Sequence, residues 1–178
     1  NVELDEVMKE VEMTLLLFFI SLFIIVGGVE QSHFLAYLGQ FIVEFVRDPN
    51  DLLLATIVLM WVAAIMSAAI DNIPFTAAMI PILLAIEASG IEIYSLWWAL
   101  ALGVGMGGNG THIGSTANVY IVTVSERLAK REGNPELAIT PLKWAKIGLP
   151  VMLITLVICT IIMYFFFDFY NAEFPRIK

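Results

Sequence analysis

The sequence predicts an all-α integral membrane protein with a helix that is interrupted in the middle of the bilayer. Of its 178 residues, 60% are hydrophobic and 15% are charged, and the mean hydropathy is +0.87. Soluble domains are on average about 45–50% apolar and about 25% charged, so this composition is typical of a membrane protein. Six glycines lie between positions 103 and 114, inside a long apolar stretch. A regular helix does not continue cheaply through them, because each glycine costs up to about 1 kcal/mol relative to alanine.

The interrupted helix determines what the chain is expected to do. Lipid cannot satisfy the N–H and C=O groups that a break exposes, so a break survives only against protein or a water-filled cavity. A break also brings a half-helix N-terminus and a half-helix C-terminus to one place, which is how transporters bind ions and charged substrates. The rest of the chain must then supply the other wall of the site.

The formal net charge of −8 does not point to a nucleic-acid partner. Acidic residues are concentrated in the first twelve residues and in the connections, and the sequence has no basic face of the kind that binds nucleic acid. Residues 1–12 predict a short polar helix at a membrane face. They lack a cationic start followed by an apolar run, so no signal peptide is expected. The chain is expected to be the carboxy-terminal part of a longer protein.

The first elements are a span and an interfacial segment. Residues 13–30 carry no charge before Glu30, which is about the minimum length for a transmembrane helix. Residues 31–50 mix apolar side chains with His33, Gln40 and Glu44. This polarity favours a segment that lies in the membrane interface.

Residues 52–87 predict a re-entrant helical hairpin. The stretch is apolar except for the interruption Asp71-Asn72-Ile73-Pro74 and the terminal Glu87. Proline removes a backbone donor and clashes with the preceding turn, so one helix should stop near Asp71–Asn72 and another should start at Pro74. Two full spans with a turn at the far face are the alternative. The short second arm, Phe75–Ile86, favours the hairpin.

The remaining elements are the broken helix, a basic loop and a final span. Residues 95–126 form the broken helix, and residues 127–146 carry five of the nine Lys and Arg residues. The positive-inside rule therefore predicts that the loop 127–146 is cytoplasmic. Residues 147–167 are then a span that leads to a carboxy-terminal tail outside, in a multi-pass protein of a bacterial or archaeal inner (plasma) membrane.

Polar residues at the two interruptions are the candidate ion- or substrate-binding residues. Hydroxyl, amide and freed carbonyl oxygens are hard ligands that suit Na⁺-like cations, whereas the half-helix that starts near Gly114 presents N–H groups that suit an anion. An ionisable group at membrane depth is a functional candidate because its burial costs at least about 2.5–3.5 kcal/mol. The candidates are Ser67, Asp71, Asn72 and Thr76 at the hairpin tip, and Gly108, Asn109, Gly110, Thr111, His112, Ser115, Thr116 and Asn118 at the break. A sodium ion is expected at Ser67, Asn72, Asn109 and Ser115.

Several of these residues also have a purely structural interpretation. Ser67 can bond back to a carbonyl of its own helix, and His112 can donate to a backbone carbonyl. Asp71 would be an ordinary helix-end residue at the membrane surface if residues 52–87 crossed twice. The tripeptide Asn109–Thr111 matches a glycosylation acceptor, but a glycine-rich apolar segment is the wrong context for one. Two polar interruptions in adjacent apolar segments indicate an ion site more strongly than any single residue does.

Two motifs carry a family resemblance. The first is Ser67–Pro81, SAAIDNIPFTAAMIP, and the second is Gly107–Asn118, GGNGTHIGSTAN. They resemble the ion transporter superfamily, in the branch of citrate transporter-like domains that holds the melanosomal P protein, arsenite permeases and Na⁺/H⁺ antiporters. Arsenite permeases tend to carry an Asp-Pro-Pro-Asn-like run just after the break, where this chain has Val-Tyr-Ile-Val after Asn118. The chain therefore leans toward the P-protein and antiporter side.

The resemblance implies that the chain is the carboxy-terminal one of two inverted repeats. Such a repeat has a scaffold helix, a re-entrant hairpin, a helix broken mid-membrane and a final span. The resemblance further implies an amino-terminal inverted repeat as partner, elevator-type movement of the hairpin with the broken helix, and a homodimer. It places the coupling cation and the substrate between two sets of residues: Ser67, Asp71 and Asn72 on one side, and Asn109, Thr111, Ser115, Thr116 and Asn118 on the other.

The predicted function is secondary active transport of a small ion, coupled to Na⁺ or H⁺, as cation/proton antiport. The alternatives are an anion permease for arsenite or a carboxylate, and a non-catalytic membrane subunit that pairs with a separate amino-terminal half. No cofactor beyond the coupling ion is expected. An intramembrane aspartyl hydrolase needs two membrane carboxylates and the apolar spans offer only Asp71, while Ser115 with His112 makes a weak case for a serine hydrolase.

Overall fold

The computed structural model describes residues 49–88 and 90–172, together with positions 17, 20, 21, 24, 25, 27, 28, 31 and 32. The predicted span 13–30 and the predicted interfacial segment 31–50 therefore lie almost entirely outside the described residues. The described residues contain helices and no strand. The all-α class is confirmed to that extent.

Six helices follow one another from residue 49 onward. They are α1 (Pro49–Ala69), α2 (Asn72–Ala88), α3 (Tyr94–Gly107), α4 (Thr116–Glu132), α5 (Pro141–Phe165) and the short α6 (Phe167–Tyr170), with a 3-10 turn at Pro135–Leu137 before α5. Two interruptions follow α1 and α3, and both lie within the motifs that carry the family resemblance.

The α1–α2 connection lies about two residues earlier in the chain than the sequence predicts. Only Ile70 and Asp71 separate the two helices, and α2 begins at Asn72 rather than at Pro74. The Oδ1 atom of Asp71 accepts a hydrogen bond of 3.0 Å from the N–H of Ile73, which satisfies one of the open donors at the start of α2. Pro74 then falls in the first turn, where its missing N–H is not needed.

The break between α3 and α4 covers residues 108–115, and α4 continues further than the sequence predicts. Ser115 is the N-cap of α4, and the helix ends at Glu132 with Gly133 in the left-handed conformation at φ 62°. The final helix begins at Pro141, after the N-cap Thr140. The predicted loop 127–146 thus contains the end of α4 and the start of α5, and its cytoplasmic location stays a prediction.

Helices α1 and α3 run parallel and pack closely along their length. Contacts join Thr56 to Ser95 near one end and Ser67 to the carbonyl of Val104 near the other. A Cβ atom built on Gly107 would lie 2.7 Å from the carbonyl carbon of Ala64, so only glycine permits this crossing. Small residues that let two backbones approach are typical of helix packing in membranes. The antiparallel α2 joins this pair through a core cluster that includes Ile82, Leu83, Ile86, Ile93, Leu96 and Leu100.

Two helices among the described residues are long and apolar enough to cross a membrane. One is Leu52–Ala69 within α1, and the other is the segment Pro135–Phe165, which contains α5; both have a mean hydropathy of 2.4. Only 17% of the apolar stretch in Pro135–Phe165 is buried. A core helix of a soluble protein would bury most of such a surface, so the exposed face of α5 fits contact with lipid.

A buried hydroxyl pair links α1 to α3 away from the interruptions, and it leads to a first prediction. Thr56 donates to the carbonyl of Leu52 at 2.7 Å and lies 3.0 Å from the Ser95 hydroxyl, and both side chains are fully buried. Thr56→Val should lower the free energy of unfolding by about 0.5–1.5 kcal/mol, because Ser95 loses this partner. The double variant with Ser95→Ala should be no less stable than Thr56→Val, as measured by unfolding in a detergent titration. Additive losses would contradict the prediction.

Candidate ion-binding site

Four helix ends meet where the hairpin tip contacts the break. Helices α1 and α3 end there, and helices α2 and α4 begin there. Helix C-termini present free carbonyl groups with a partial negative charge, and N-termini present free N–H groups with a partial positive charge. The region therefore has ligand groups for a cation and for an anion within one small volume.

Asp71 links the starts of both new helices. Its Oδ1 atom accepts from the N–H of Ile73 in α2, and its Oδ2 atom accepts from the hydroxyl of Thr116, the first residue of α4, at 2.6 Å. The side chain is half-buried. A carboxylate at two helix N-termini is stabilised by both of them.

Ser67 and Asn72 form a second contact, on the buried side of the tip. The Ser67 hydroxyl is fully buried and contacts both Oδ1 of Asn72 and the carbonyl oxygen of Val104, the latter at 3.0 Å. One hydroxyl proton can be donated to only one of these oxygens at a time. The carbonyl oxygen of Val104 also accepts the N–H of Gly108 at 3.1 Å. Three oxygens thus lie close together here, and hydroxyl, amide and carbonyl oxygens are hard ligands that suit a cation.

Two glycines allow the hairpin tip to approach the break. A Cβ atom on Gly108 would lie 2.7 Å from Oδ1 of Asn72, and a Cβ atom on Gly114 would lie 3.1 Å from the carbonyl oxygen of Ser67. A larger residue at position 108 would displace the Asn72 side chain, and one at position 114 would crowd the carbonyl oxygen of Ser67. The glycines of the second motif therefore have a steric role as well as a helix-breaking one.

Side chains satisfy several of the carbonyls in and next to the break. The Nδ2 atom of Asn118 donates to the carbonyl oxygens of Gly108, at 2.8 Å, and Thr111, at 3.1 Å. The Thr111 hydroxyl donates to the carbonyl of Ala68 at the end of α1. Asn118 and Thr111 thus hold the break together and attach it to α1, so their main contribution in this structure is to shape the site.

The structure brings together some of the predicted site residues and separates others. Ser67 contacts Asn72, and Asp71 contacts Thr116. The Ser115 hydroxyl instead accepts from Ala117 within α4, and the exposed Asn109 makes its contact through its backbone carbonyl. No hydrogen bond in the described part of the chain joins Asn109 or Ser115 to the other two members of the predicted sodium set. Thr76 and His112 are half-buried in α2 and in the break, respectively, and Gly110 is buried in the break.

Sequence reasoning does not identify Trp144. Its Nε1 atom donates to the carbonyl oxygen of Asn109 at 3.0 Å. The available signal is the spacing of Trp144, Gly148 and Met152 on one face of α5. Among the described residues, no group of three His, Cys, Asp or Glu side chains is placed to hold a metal ion.

Comparison with known proteins identifies one family and several relatives. A family model described as citrate transporter matches residues 1–103. The P protein of Sus scrofa is 40% identical over 131 residues, and the P protein of Homo sapiens is 33% identical over 165 residues. An uncharacterized transporter of Mycobacterium tuberculosis is 33% identical over 167 residues.

The matches cover most of this chain and a smaller part of each relative. The two P proteins align with 70% and 89% of the chain, and the mycobacterial protein aligns with 92%. The chain spans only 16% and 18% of the two P proteins and 37% of the mycobacterial protein. No solved structure gives a significant match.

Proposed function

The chain belongs to the citrate transporter family, and on that basis we propose that it forms the ion-binding part of a secondary active transporter. The family and the relative from Mycobacterium tuberculosis are named as transporters and not as enzymes. The proposed transporter moves a small ion, coupled to Na⁺ or H⁺, as a cation/proton antiporter. It works together with an amino-terminal inverted repeat of the same protein, in a homodimer and in a bacterial or archaeal plasma membrane.

The observation that carries the proposal is the position of Asp71. It is the one charged residue between Leu52 and Ile86, and it lies where four helix ends meet. Its Oδ2 atom accepts a hydrogen bond from the Thr116 hydroxyl. A hydroxyl can donate to a carboxylate and can accept from a carboxylic acid. Asp71 can thus exchange a proton for a cation without losing its contact with Thr116.

The packing of the first three helices supports an elevator-type movement. The parallel α1 and α3 are joined by the hydroxyl pair Thr56–Ser95, by a close glycine contact at Gly107 and by Ser67 at the tip. With α2 packed against α3, the three helices form one packed unit that carries the hairpin tip and the start of the break. Such a unit can move as a whole with its bound ion.

The proposal is tested with the longest natural form of the protein in liposomes that contain a pH-sensitive dye. A proton gradient is imposed, and Na⁺, Li⁺, K⁺ or an oxyanion is added outside. We expect Na⁺ or Li⁺ to collapse the gradient, and we expect Asn72→Ala to reduce the rate at least about tenfold, since it removes a ligand oxygen beside Ser67. Asn134→Ala is the matched control, because Asn134 is exposed and caps only the 3-10 turn.

Two results would change the proposal. Collapse by Na⁺ that persists in Asn72→Ala would place the cation elsewhere. A response to an oxyanion but to no cation would favour an anion permease, with the anion at the N-termini of α2 and α4. The absence of any transport in the longest natural form would favour the reading as a non-catalytic subunit.

A further inference from the structure

Helix α5 makes direct contact with the break through three residues. Trp144 donates its indole N–H to the carbonyl oxygen of Asn109 at 3.0 Å. A Cβ atom on Gly148 would collide with that same oxygen and would lie 2.9 Å from Nε1 of Trp144, so glycine leaves room for the contact. A Cβ atom on Gly110 would lie 2.5 Å from the sulfur of Met152. Residues four apart lie on one helix face, so positions 144, 148 and 152 form a continuous support for the break.

Successive peptide groups of the break are held from two different helices. The carbonyl of Gly108 accepts from Asn118 of α4, and the next carbonyl, that of Asn109, accepts from Trp144 of α5. Fixing two adjacent carbonyls fixes the backbone between them, and with it the direction of the exposed Asn109 side chain. A tryptophan of an interfacial belt would direct its N–H toward headgroups. Trp144 directs its N–H into the protein.

We propose that Trp144 is a positioning residue, which holds the Asn109 peptide so that the break keeps the geometry required for ion binding. The proposal rests on the transport function proposed above. Trp144 acts through Asn109 and is not itself a ligand. Its loss should therefore weaken ion binding while the translocation of bound ion continues at a similar maximal rate.

The test compares Trp144→Phe with the matched control Trp61→Phe, which also loses an indole hydrogen bond that involves α5. Trp61 of α1 donates its indole N–H to the hydroxyl of Thr160 in α5 at 2.9 Å, away from the break. Trp61→Phe therefore loosens α5 without touching Asn109. Both variants keep an aromatic ring in place, so both are expected to fold.

Two readouts are made on the longest natural form of the protein. Hydrogen exchange of the amides at 107–115 should be about twofold to tenfold faster in Trp144→Phe, because the loss of one neutral hydrogen bond changes the opening equilibrium by about that factor. The exchange of these amides should be unchanged in Trp61→Phe. The cation concentration for half-maximal transport should rise by a similar factor in Trp144→Phe alone, with the maximal rate kept. Gly148→Ala, which would displace the Asn109 carbonyl, should reproduce both effects.

The outcomes separate this proposal from the transport function. Equal exchange at 107–115 in wild type and Trp144→Phe would overturn the positioning role whether or not transport is detected. Faster exchange with an unchanged half-maximal concentration would also overturn it, because the geometry of the break would then not govern binding. If the wild type transports no ion, the transport proposal fails. The claim that Trp144 positions an ion site then fails as well, even if hydrogen exchange shows that Trp144 orders the break.

Discussion

Asp71→Asn should abolish proton-coupled transport and leave the fold intact. Asparagine has nearly the same shape as aspartate, so its Oδ1 atom can still accept from the N–H of Ile73. Its amide group can donate to the hydroxyl oxygen of Thr116, which can accept as readily as it donates. The substitution therefore removes the negative charge and the exchangeable proton but not the contacts. The charge was stabilised by two helix N-termini, so we expect a loss of stability of no more than about 1–2 kcal/mol.

The measurement is the rate at which added Na⁺ or Li⁺ collapses a proton gradient in liposomes, over a range of internal pH. Asp168→Asn is the control, because Asp168 is exposed in α6 and the same chemical change there should have no effect. Transport by Asp71→Asn that still depends on pH would exclude Asp71 as the coupling group. The unfolding midpoint shows whether a loss of transport is caused by unfolding of the variant. We expect this midpoint to change little.

Gly107→Ala should destabilise the protein, whereas Gly105→Ala should stabilise it. A Cβ atom on Gly107 would lie 2.5 Å from Cα of Ala64 and 2.7 Å from its carbonyl carbon, and these backbone atoms cannot move without separating α1 from α3. We expect a loss of about 1–3 kcal/mol, the usual cost of overpacking. A Cβ atom on Gly105 would meet nothing within 4 Å, so the gain there is about 0.5–1 kcal/mol from helix propensity alone.

The unfolding midpoint in a detergent titration measures both variants. The pair is matched, since both glycines lie in the last turns of α3 and receive the same methyl group. Stabilisation at both positions would mean that the α1–α3 crossing is not as close as described. Gly107→Ala should also slow transport, because separation of α1 from α3 would separate the hairpin tip from the break.

The positions of the two interruptions could be predicted because their causes are local. Pro74 and the glycines of residues 103–114 disfavour a continuous helix whatever surrounds them. The end of α4 also has a local cause, the left-handed Gly133 after Lys130 and Arg131 in the last turn. In the sequence, the charged run from Glu126 outweighs that signal, because such a run is typical of the end of a membrane span.

The partners of the site residues could not be predicted, because they depend on how distant segments pack. Trp144 and Asn109 are 35 residues apart, and Asp71 and Thr116 are 45 residues apart. The sequence identified Ser115 as a polar residue at the break, but its hydroxyl is used by its own helix as an N-cap. Hydroxyls that precede a helix often cap it, so the N-cap role of Ser115 competes with a role as an ion ligand.

The solitary charge at the meeting point of four helix ends has an electrical consequence. The partial charges of two N-termini and two C-termini offset one another, so the net charge there is set by Asp71 and by the ion it holds. Moving one elementary charge through a potential of 100 mV involves about 2.3 kcal/mol of work. If the proposed unit moves with one monovalent cation or one proton on Asp71, it would be neutral and would cross the field without that work. An empty unit with Asp71 as a carboxylate would carry a negative charge, so the membrane voltage would act on the movement of that form alone.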